Sequence, residues 1–301
     1  MQLRVIHDTV YDYEPPVETA QHMVHLRPRT MATQQLVSHS LRISPEPASR
    51  SEAVDGYGNT RSFFSLQAAH AQLHIVADSV VHTREPLLPA VSLPWEQVRE
   101  RMRYQRKAAY DAATEFTFPS PYVPRHDEFL DYGRLSFSAD RPLIDAARDL
   151  MTRIYTDFTY EVAATDINTP ALEALALRKG VCQDFAHIMI ACLRGMGLPA
   201  RYVSGYLLTQ PPAGKPRLIG ADASHAWVSV WSPDAIAGGH WVDLDPTNNR
   251  TAGEDYVTLA VGRDYSDVSP VRGVIHGGDA HTLNVAVTVA PVAELPLEQA
   301  E

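Results

Sequence analysis

The sequence predicts an α+β protein in which a helix packs on an antiparallel sheet, behind an N-terminal β-sandwich. Three observations predict it. Residues 1–85 read as short strands with turn signals between them. Residues 141–301 combine helical segments with alternating runs that can pair as hairpins. Between the two lies Pro86–Pro94, a proline-rich connector. The 301 residues suffice for one large or two ordinary domains. The expected division is a sandwich over 1–85, a connector with a helix and an irregular segment over 86–140, and a core with the C-terminal strands over 141–301.

A formal net charge of −10 argues against a nucleic-acid or anionic-membrane partner, because either demands a basic face. No run approaches the ~20 apolar residues of a membrane span. Met1–Pro16 lacks the apolar segment of about 7–15 residues that a signal peptide needs. The expected compartment is the cytoplasm. Two cysteines cannot form a disulfide scaffold. Cys182 and Cys192, on one helix, would lie ~15 Å apart, too far to bridge. Oligomeric state is not legible in the composition.

Taken in order, Leu3–His7 begins a strand and Gln35–Ile43 alternates as another. Asp55-Gly56-Tyr57-Gly58-Asn59 is a turn, since Gly and Asn tolerate positive φ, and it joins Ser51–Val54 to Thr60–Leu66 as a hairpin. Leu73–Val81 completes a series whose spacing suits a small sandwich. His70 and His74 have a spacing that gathers ligands on a helix but not on an extended segment, so no metal site is expected there. Trp95–Tyr110 reads as a charged helix. Phe116–Arg125 carries three prolines and must be irregular, as the rim of a cleft or as a linker.

Pro142–Tyr155 has helical periodicity, with Leu143, Ala146, Ala147, Leu150 and Ile154 on one face. Thr169-Pro170 opens a short helix. It is expected to stop at Gly180, because glycine takes the left-handed conformation without a Cβ penalty. A second apolar run, Phe185–Met196, reads as a buried helix ending at Gly197-Leu198-Pro199. Cys182 falls on its first turn. The unpaired N–H groups there and the positive end of the helix dipole favour a thiolate over a thiol. Cys192 reads as a small core residue, and Cys182 by itself would read that way too. Residues further along give Cys182 a partner.

Ala200–Leu208 is the next strand, followed by a polar loop over Thr209–Asp222. Ser224–Trp231 alternates, with His225, Trp227, Ser229 and Trp231 facing one way. After a glycine-rich turn, His240–Thr247 alternates too. A hairpin with Trp231 opposite His240 brings Pro246 opposite His225. A one-residue adjustment then puts Asp245 across from the histidine, at a Cβ separation of about 4.5–5.5 Å. Asp243 has the right parity but lies two residues further along, which makes it the accessory or structural carboxylate of the pair.

A thiol at a helix start, a histidine on a strand and a carboxylate on the neighbouring strand form an activated nucleophile with base and orienting group. The imidazole draws the thiol proton or pairs with the thiolate, while the carboxylate fixes the tautomer and stabilises the imidazolium. Cys182, His225 and Asp245 are therefore the candidate catalytic residues. The chemistry requires neither a cofactor nor a metal.

These stretches also resemble a known family. Gly180-Val181-Cys182-Gln183-Asp184-Phe185-Ala186-His187, Ala200-Arg201-Tyr202-Val203-Ser204-Gly205-Tyr206, His225-Ala226-Trp227 and Trp241-Val242-Asp243-Leu244-Asp245-Pro246-Thr247 are similar, in this order, to the transglutaminase-like core. More closely, they resemble bacterial transglutaminase-like proteins assigned as cysteine proteases. Tyr11-Asp12-Tyr13 and His25-Leu26-Arg27-Pro28-Arg29 resemble the N-terminal β domain that accompanies that core. The resemblance covers nearly the whole chain. It implies a papain/transglutaminase-like core and a Cys182–His225–Asp245 triad, with Asp245 at the family's Asp-Pro-Thr position.

The reaction expected is attack of Cys182 on a carbonyl of a peptide or protein amide, giving a thioester. Water resolving the thioester makes a peptidase or amidase; an amine resolving it makes a transglutaminase. Hydrolysis is the expectation, because no acceptor site is marked elsewhere in the sequence. A non-catalytic binding protein on the same scaffold is the competing class, and an intact triad argues against it. Three readings stay open. Trp227 and Trp231 are walls of a dry acceptor channel or core packing. Asp184 and His187 are site groups, or a helix-start carboxylate and a buried histidine. Tyr206 lines the cleft or packs.

Overall fold

The computed structural model describes residues 1–88, 91–103, 106, 109–209, 220, 222–233 and 239–295. Five strands come first: β1 (Gln2–Val24), β2 (Gln34–Ser44), β3 (Ser49–Val54), β4 (Thr60–Leu66) and β5 (His70–Thr83). Then come α1 (Trp95–Met102), α2 (Asp127–Gly133), α3 (Leu143–Asp157), β6 (Thr159–Tyr160), α4 (Ala171–Leu177), β7 (Lys179–Gly180) and α5 (Cys182–Gly195). The rest is β8 (Ala200–Leu207), β9 (Ser224–Ser232), β10 (His240–Asp245), β11 (Arg250–Thr251), β12 (Tyr256–Gly262), α6 (Tyr265–Val268), β13 (Val271–Gly277) and β14 (Ala280–Pro291).

β1 is far longer than the strand that Leu3–His7 announces, because it runs on through Pro15-Pro16. Neither proline has an N–H to give the ladder, and the register with β5 shifts between Asp12 and Val17. The two halves of β1 serve different neighbours. Leu3–Asp12 pairs with β5 and β14, while Ala20–Val24 pairs with β4 and β13. β2 extends the sheet from β5, and β3 from β4. The sheet therefore curls over on itself through one strand that belongs to both layers. Tyr13, Val17, Leu41, Ile43, Phe64, Leu66, Leu73 and Ile75 fill the space between them. The expected sandwich is present, and it is completed from the other end of the chain. β13 and β14, grouped on sequence grounds with the core, pair with β1 instead.

The core is a second antiparallel sheet in the order β11-β10-β9-β8-β12. Strand alternation sorts its two faces. Ala200, Tyr202, Ala226, Val228 and Val230 join α5 and the apolar face of α3 in one cluster. Val203, Trp227, Tyr256 and Val261 form a separate cluster on the opposite face. Every residue of α5 from Asp184 to Arg194 is buried. Arg194 tolerates this because its guanidinium donates to Ala200 O, Ser120 Oγ and Arg263 O.

The sandwich is not a separate body. Leu3, Val5, Val81, Val287 and Val289 lie in the same cluster as α3 and α5. Each such side chain is worth about 1.5–3 kcal/mol when fully buried, so parting the two units is costly. His7 of β1 and Tyr206 of β8 bridge the seam, with Nδ1 and the hydroxyl 2.7 Å apart and both residues buried. Burial pushes the His7 pKa down to about 4, so its ring is neutral. Tyr206 is a seam residue.

Local departures from the sequence expectations have identifiable causes. α1 stops at Met102, short of Tyr110, and residues 104, 105, 107 and 108 lie outside the described set. The helix before Cys182 ends with Arg178, not Gly180, in the left-handed conformation (φ 55°). Phe116–Arg125 is largely irregular, as expected, and it packs on the core while Thr117, Pro119 and Arg125 edge a surface pocket. A 3-10 turn over Ala112–Thr117 seats Phe116 against Tyr57 and Trp241, and Tyr122 stacks on His187. The polar loop over Thr209–Asp222 and the turn before His240 fall largely outside the described residues.

Removing the Tyr206 hydroxyl leaves a buried His7 nitrogen unpaired. Tyr206→Phe is expected to lower stability by about 1–3 kcal/mol in urea unfolding, with Cys182 alkylated by iodoacetamide as fast as before. Slower alkylation at unchanged stability would put Tyr206 in the cleft instead.

Candidate active site

Cys182 is the first residue of α5, and Val181 before it is extended (φ −116°, ψ −177°). Asp184 fixes this helix start. Its Oδ2 accepts from the Val181 N–H at 2.8 Å and from Thr165 Oγ1 at 2.7 Å. Burial raises the Asp184 pKa against the hydrogen bonds that lower it. Gly180 makes room for this carboxylate, since a Cβ there would fall 2.5 Å from Asp184 Oδ2. Asp184 is thus a helix-start carboxylate.

His187 is buried, its Nε2 accepting from the Tyr265 N–H at 3.2 Å and its ring packed on Tyr122 and Tyr202. Burial drives its pKa down to about 3, which makes it a neutral packing histidine. Cys192 has no exposed surface, and burial pushes its thiol up to about 12. Cys182, by contrast, keeps partial exposure.

His225 and Asp245 meet, with His225 Nε2 donating to Asp245 Oδ2 at 2.7 Å. The same ring lies close enough to Cys182 for it to help raise the His225 pKa; with Nε2 engaged by Asp245, Nδ1 is the nitrogen left for the thiol. The route differs from the expected hairpin. Trp231 pairs with Trp241 and Val228 with Leu244. This register is one residue from the one expected, in the opposite direction to the adjustment invoked for Asp245. Continued to the strand ends, it puts Trp227 beside Asp245 and Thr247 beside His225. Asp245 therefore reaches His225 diagonally, across about 7–8 Å, which a carboxylate and an imidazole span together. Asp243 lies opposite Ser229 and accepts its hydroxyl.

Asp245 has no exposed surface. Besides His225 it accepts from the Thr247 N–H (2.8 Å), the Asn248 N–H (3.2 Å), Asn248 Nδ2 (2.7 Å) and the Tyr256 hydroxyl (2.7 Å). Arg250 Nε in turn donates to the Tyr256 oxygen at 3.0 Å. Burial alone would raise the Asp245 pKa; the hydrogen bond and charge of His225, with Asn248 and Tyr256, hold it below the usual carboxylate range. At His225 burial disfavours the charge. The hydrogen bonds and charges of Asp245 and Cys182 outweigh it and raise the pKa to about 10, so the ring is an imidazolium at neutral pH.

Sequence reasoning missed several of these groups. Asn248 had a legible signal, because an Asp that ends a strand before Pro-Thr-Asn accepts from backbone N–H groups two and three residues on. Tyr256 and Arg250 come from other strands and had none. Tyr160 and Tyr202 lie near Cys182: burial first, and then the electrostatic influence of Cys182, raises both phenols. Trp227 is fully buried against Tyr256. Trp231 packs on Trp241 and lines a cavity that includes neither Cys182 nor His225. Among the described residues, no group of three or more His, Cys, Asp or Glu is placed to hold a metal ion, and no helix is long and apolar enough to cross a membrane.

A raised pKa means that the charged form persists below it. The His225 ring is expected to stay charged through pH 8 and to titrate near pH 10, read from its ring-nitrogen NMR signals. Asp245→Asn should bring that midpoint down toward the ordinary histidine range. An unmoved midpoint would mean that Asp245 does not hold the charge.

Two family models match the chain, the Bacterial transglutaminase-like N-terminal region over residues 3–82 and the Transglutaminase-like superfamily over residues 134–246. The first spans β1 to β5; the second runs from the end of α2 to Pro246. An uncharacterized protein of Mycobacterium tuberculosis (strain H37Rv) is 43% identical over 295 residues, covering 96% of this chain and 92% of its own. One of Mycobacterium leprae is 34% identical over 297 residues, covering 97% and 99%. The protein-glutamine gamma-glutamyltransferase of Pseudomonas aeruginosa is 33% identical over 106 residues, 33% of this chain and 15% of that protein. A solved structure of a candidate cysteine protease from Cytophaga hutchinsonii superposes with a TM-score of 0.72 at 20% identity, over 96% of this chain and 90% of that one, a likeness of fold. With relatives matched almost end to end and both family models in order along it, the chain belongs to the transglutaminase-like superfamily, in the bacterial branch that carries this N-terminal region ahead of the core.

Proposed function

We propose that the protein is a cysteine-dependent peptidase or amidase in which Cys182, His225 and Asp245 act as a triad on an amide of a peptide or protein. One observation carries this reading: His225, close enough to Cys182 for that side chain to help hold its charge, is hydrogen-bonded at 2.7 Å to a fully buried Asp245. A binding protein on this scaffold would gain nothing from a charged imidazole held against a thiol, since sequestering charge costs free energy. The cytoplasm, suggested by the sequence, is the compartment we assign.

The Cys182 thiolate attacks the amide carbonyl carbon, forming a C–S bond and moving an electron pair onto oxygen. The Cys182 N–H, one of the helix-start amides without an intrahelical acceptor, donates to that oxyanion. As the intermediate collapses, the C–N bond breaks and His225 gives its Nδ1 proton to the departing nitrogen. A thioester and a neutral imidazole remain. Water then adds to the thioester, its proton passing to His225. The C–S bond breaks, releasing a carboxylic acid and restoring the thiolate–imidazolium pair. Asp245 keeps Nε2 protonated throughout, which leaves Nδ1 to make the transfers.

Exchange onto an amine is the second reading, favoured by the name of the Pseudomonas aeruginosa relative. Water is in large excess, so an amine wins only if the protein binds it and excludes water. Neither tryptophan considered as a wall opens on Cys182: Trp227 lies beside His225, ring centres 6.0 Å apart, but is fully buried, and Trp231 lines a cavity apart from Cys182. That packing favours hydrolysis.

Asp245→Asn should lower turnover by a factor on the order of 10⁴, the loss seen when a triad aspartate becomes an amide, and Asp243→Asn by much less. The reverse ranking would give the orienting role to Asp243. The reaction is read by supplying amide-bearing peptides with a labelled primary amine at millimolar concentration and separating the products. Mostly free acid is expected. Mostly amine conjugate would replace hydrolysis by exchange, and undiminished turnover by Cys182→Ala would overturn the proposal entirely.

A further inference from the structure

On the face of the five-stranded sheet turned toward the sandwich lies a cavity of about 600 Å³ that the reaction above does not use. Arg29, residues 31–34 and residues 83–88 make one wall; Arg201, Trp231, Trp241, Asp243 and Tyr256 contribute to the other. Its volume falls within the roughly 300–1,000 Å³ of small-molecule sites.

Arg201 distinguishes this space from a packing gap. Strand pairing sets Arg201, Ser229 and Asp243 in one row across β8, β9 and β10. Asp243 is engaged by the Ser229 hydroxyl. The Arg201 guanidinium makes no hydrogen bond, and no ion pair within 4.0 Å, to any described residue, although it feels the charges of Asp243 and Arg29. One face of its guanidinium lies on the Trp241 ring, with Cζ 4.0 Å from the ring centre, and Nε is buried without a partner. The contrast with Arg194 is direct, since that buried guanidinium is tied down by four hydrogen bonds. Arg201 is partly buried and feels the Asp243 charge, but without a hydrogen bond between them, so its guanidinium keeps N–H groups for an anion in the cavity.

The other charges around the cavity leave room for that anion. Arg29 gives Nη1 to Tyr57 O and Asn59 Oδ1. Arg84 stands at the rim, with Glu85 beside it as the acidic counterpart. Trp231, Trp241, Met31 and Leu88 supply the apolar lining.

We propose that this cavity binds a small organic acid, whose carboxylate seats on Arg201 and whose apolar, ring-sized body packs against Trp231 and Trp241. A carboxylate can take two N–H groups from the edge of a guanidinium while its face stays stacked on the indole. Neither Cys182 nor His225 lines the cavity, and Tyr256 is a residue it shares with the Asp245 network, so the proposal stands whichever way the proposed reaction is decided.

The test uses the full chain with its four tryptophans labelled at the indole nitrogen, followed by NMR with no turnover involved. Phenylacetate, indole-3-acetate, neutral phenylacetamide and inorganic phosphate are the probes. Both acids should shift the Trp231 and Trp241 indole signals saturably and leave Trp95 unmoved. They should bind at least roughly tenfold more tightly than phenylacetamide. Arg201→Met should abolish that preference while phenylacetamide binds as before. No saturable shift with either acid, equal affinity for acid and amide, or binding of phosphate alone would overturn the proposal. Should Arg201→Met fail to fold, the acid–amide comparison on the unaltered protein decides by itself.

Discussion

A carboxylate cut off from solvent must find every hydrogen bond it needs inside the protein, and Asp245 organises the core around that requirement. Its partners come from β9, from the turn after β10 and from β12. β10 and β12 are separated by two intervening strands, ~14 Å in a flat sheet at about 4.8 Å per spacing. The Tyr256–Asp245 bond closes that distance because the sheet curls and because a tyrosine is long. Gly205 lies on the path. A Cβ there would fall 2.1 Å from Val257 O and 2.6 Å from the Trp227 ring, so glycine lets the strands approach this closely.

The same side chain is put to opposite uses within this fold. Burial acts on His7, His187 and His225 in one direction, against charge. His7 and His187 meet a phenol and a backbone N–H, and both are driven toward neutrality. His225 meets a carboxylate and a thiol, and there the partners prevail. The charged histidine is the one held between the two groups that nucleophilic chemistry would use.

How legible all this is in the sequence follows from how local each cause is. Cys182 at a helix start could be read because the glycine, the apolar run and the closing Gly-Leu-Pro are neighbours in sequence. His225 and Asp245 could be read because alternation and an Asp-Pro pair mark their strands. The register could not, since it rests on ladders to β8 and β11 as well as on the turn. Gly180 was legible as obligatory but for another reason: a left-handed cap and a close approach both select glycine, and only the position of Asp184 separates them. Tyr256 reaches Asp245 across two intervening strands, and the return of β13 and β14 to β1 joins residues more than 200 apart; neither leaves a local pattern.

That return also sets the order in which the protein can be made. Leu3 pairs with Pro291 and Glu14 with Ala280, so nearly all of these residues must leave the ribosome before the first half of β1 has both its neighbours. Until then it presents an open edge to whatever strand or chaperone comes by. Non-local pairing of this kind is slow, whereas helices assemble quickly from neighbouring residues. The helix that begins at Cys182 therefore has the means to form during synthesis, while the sheet that braces the core closes only after translation has passed β14.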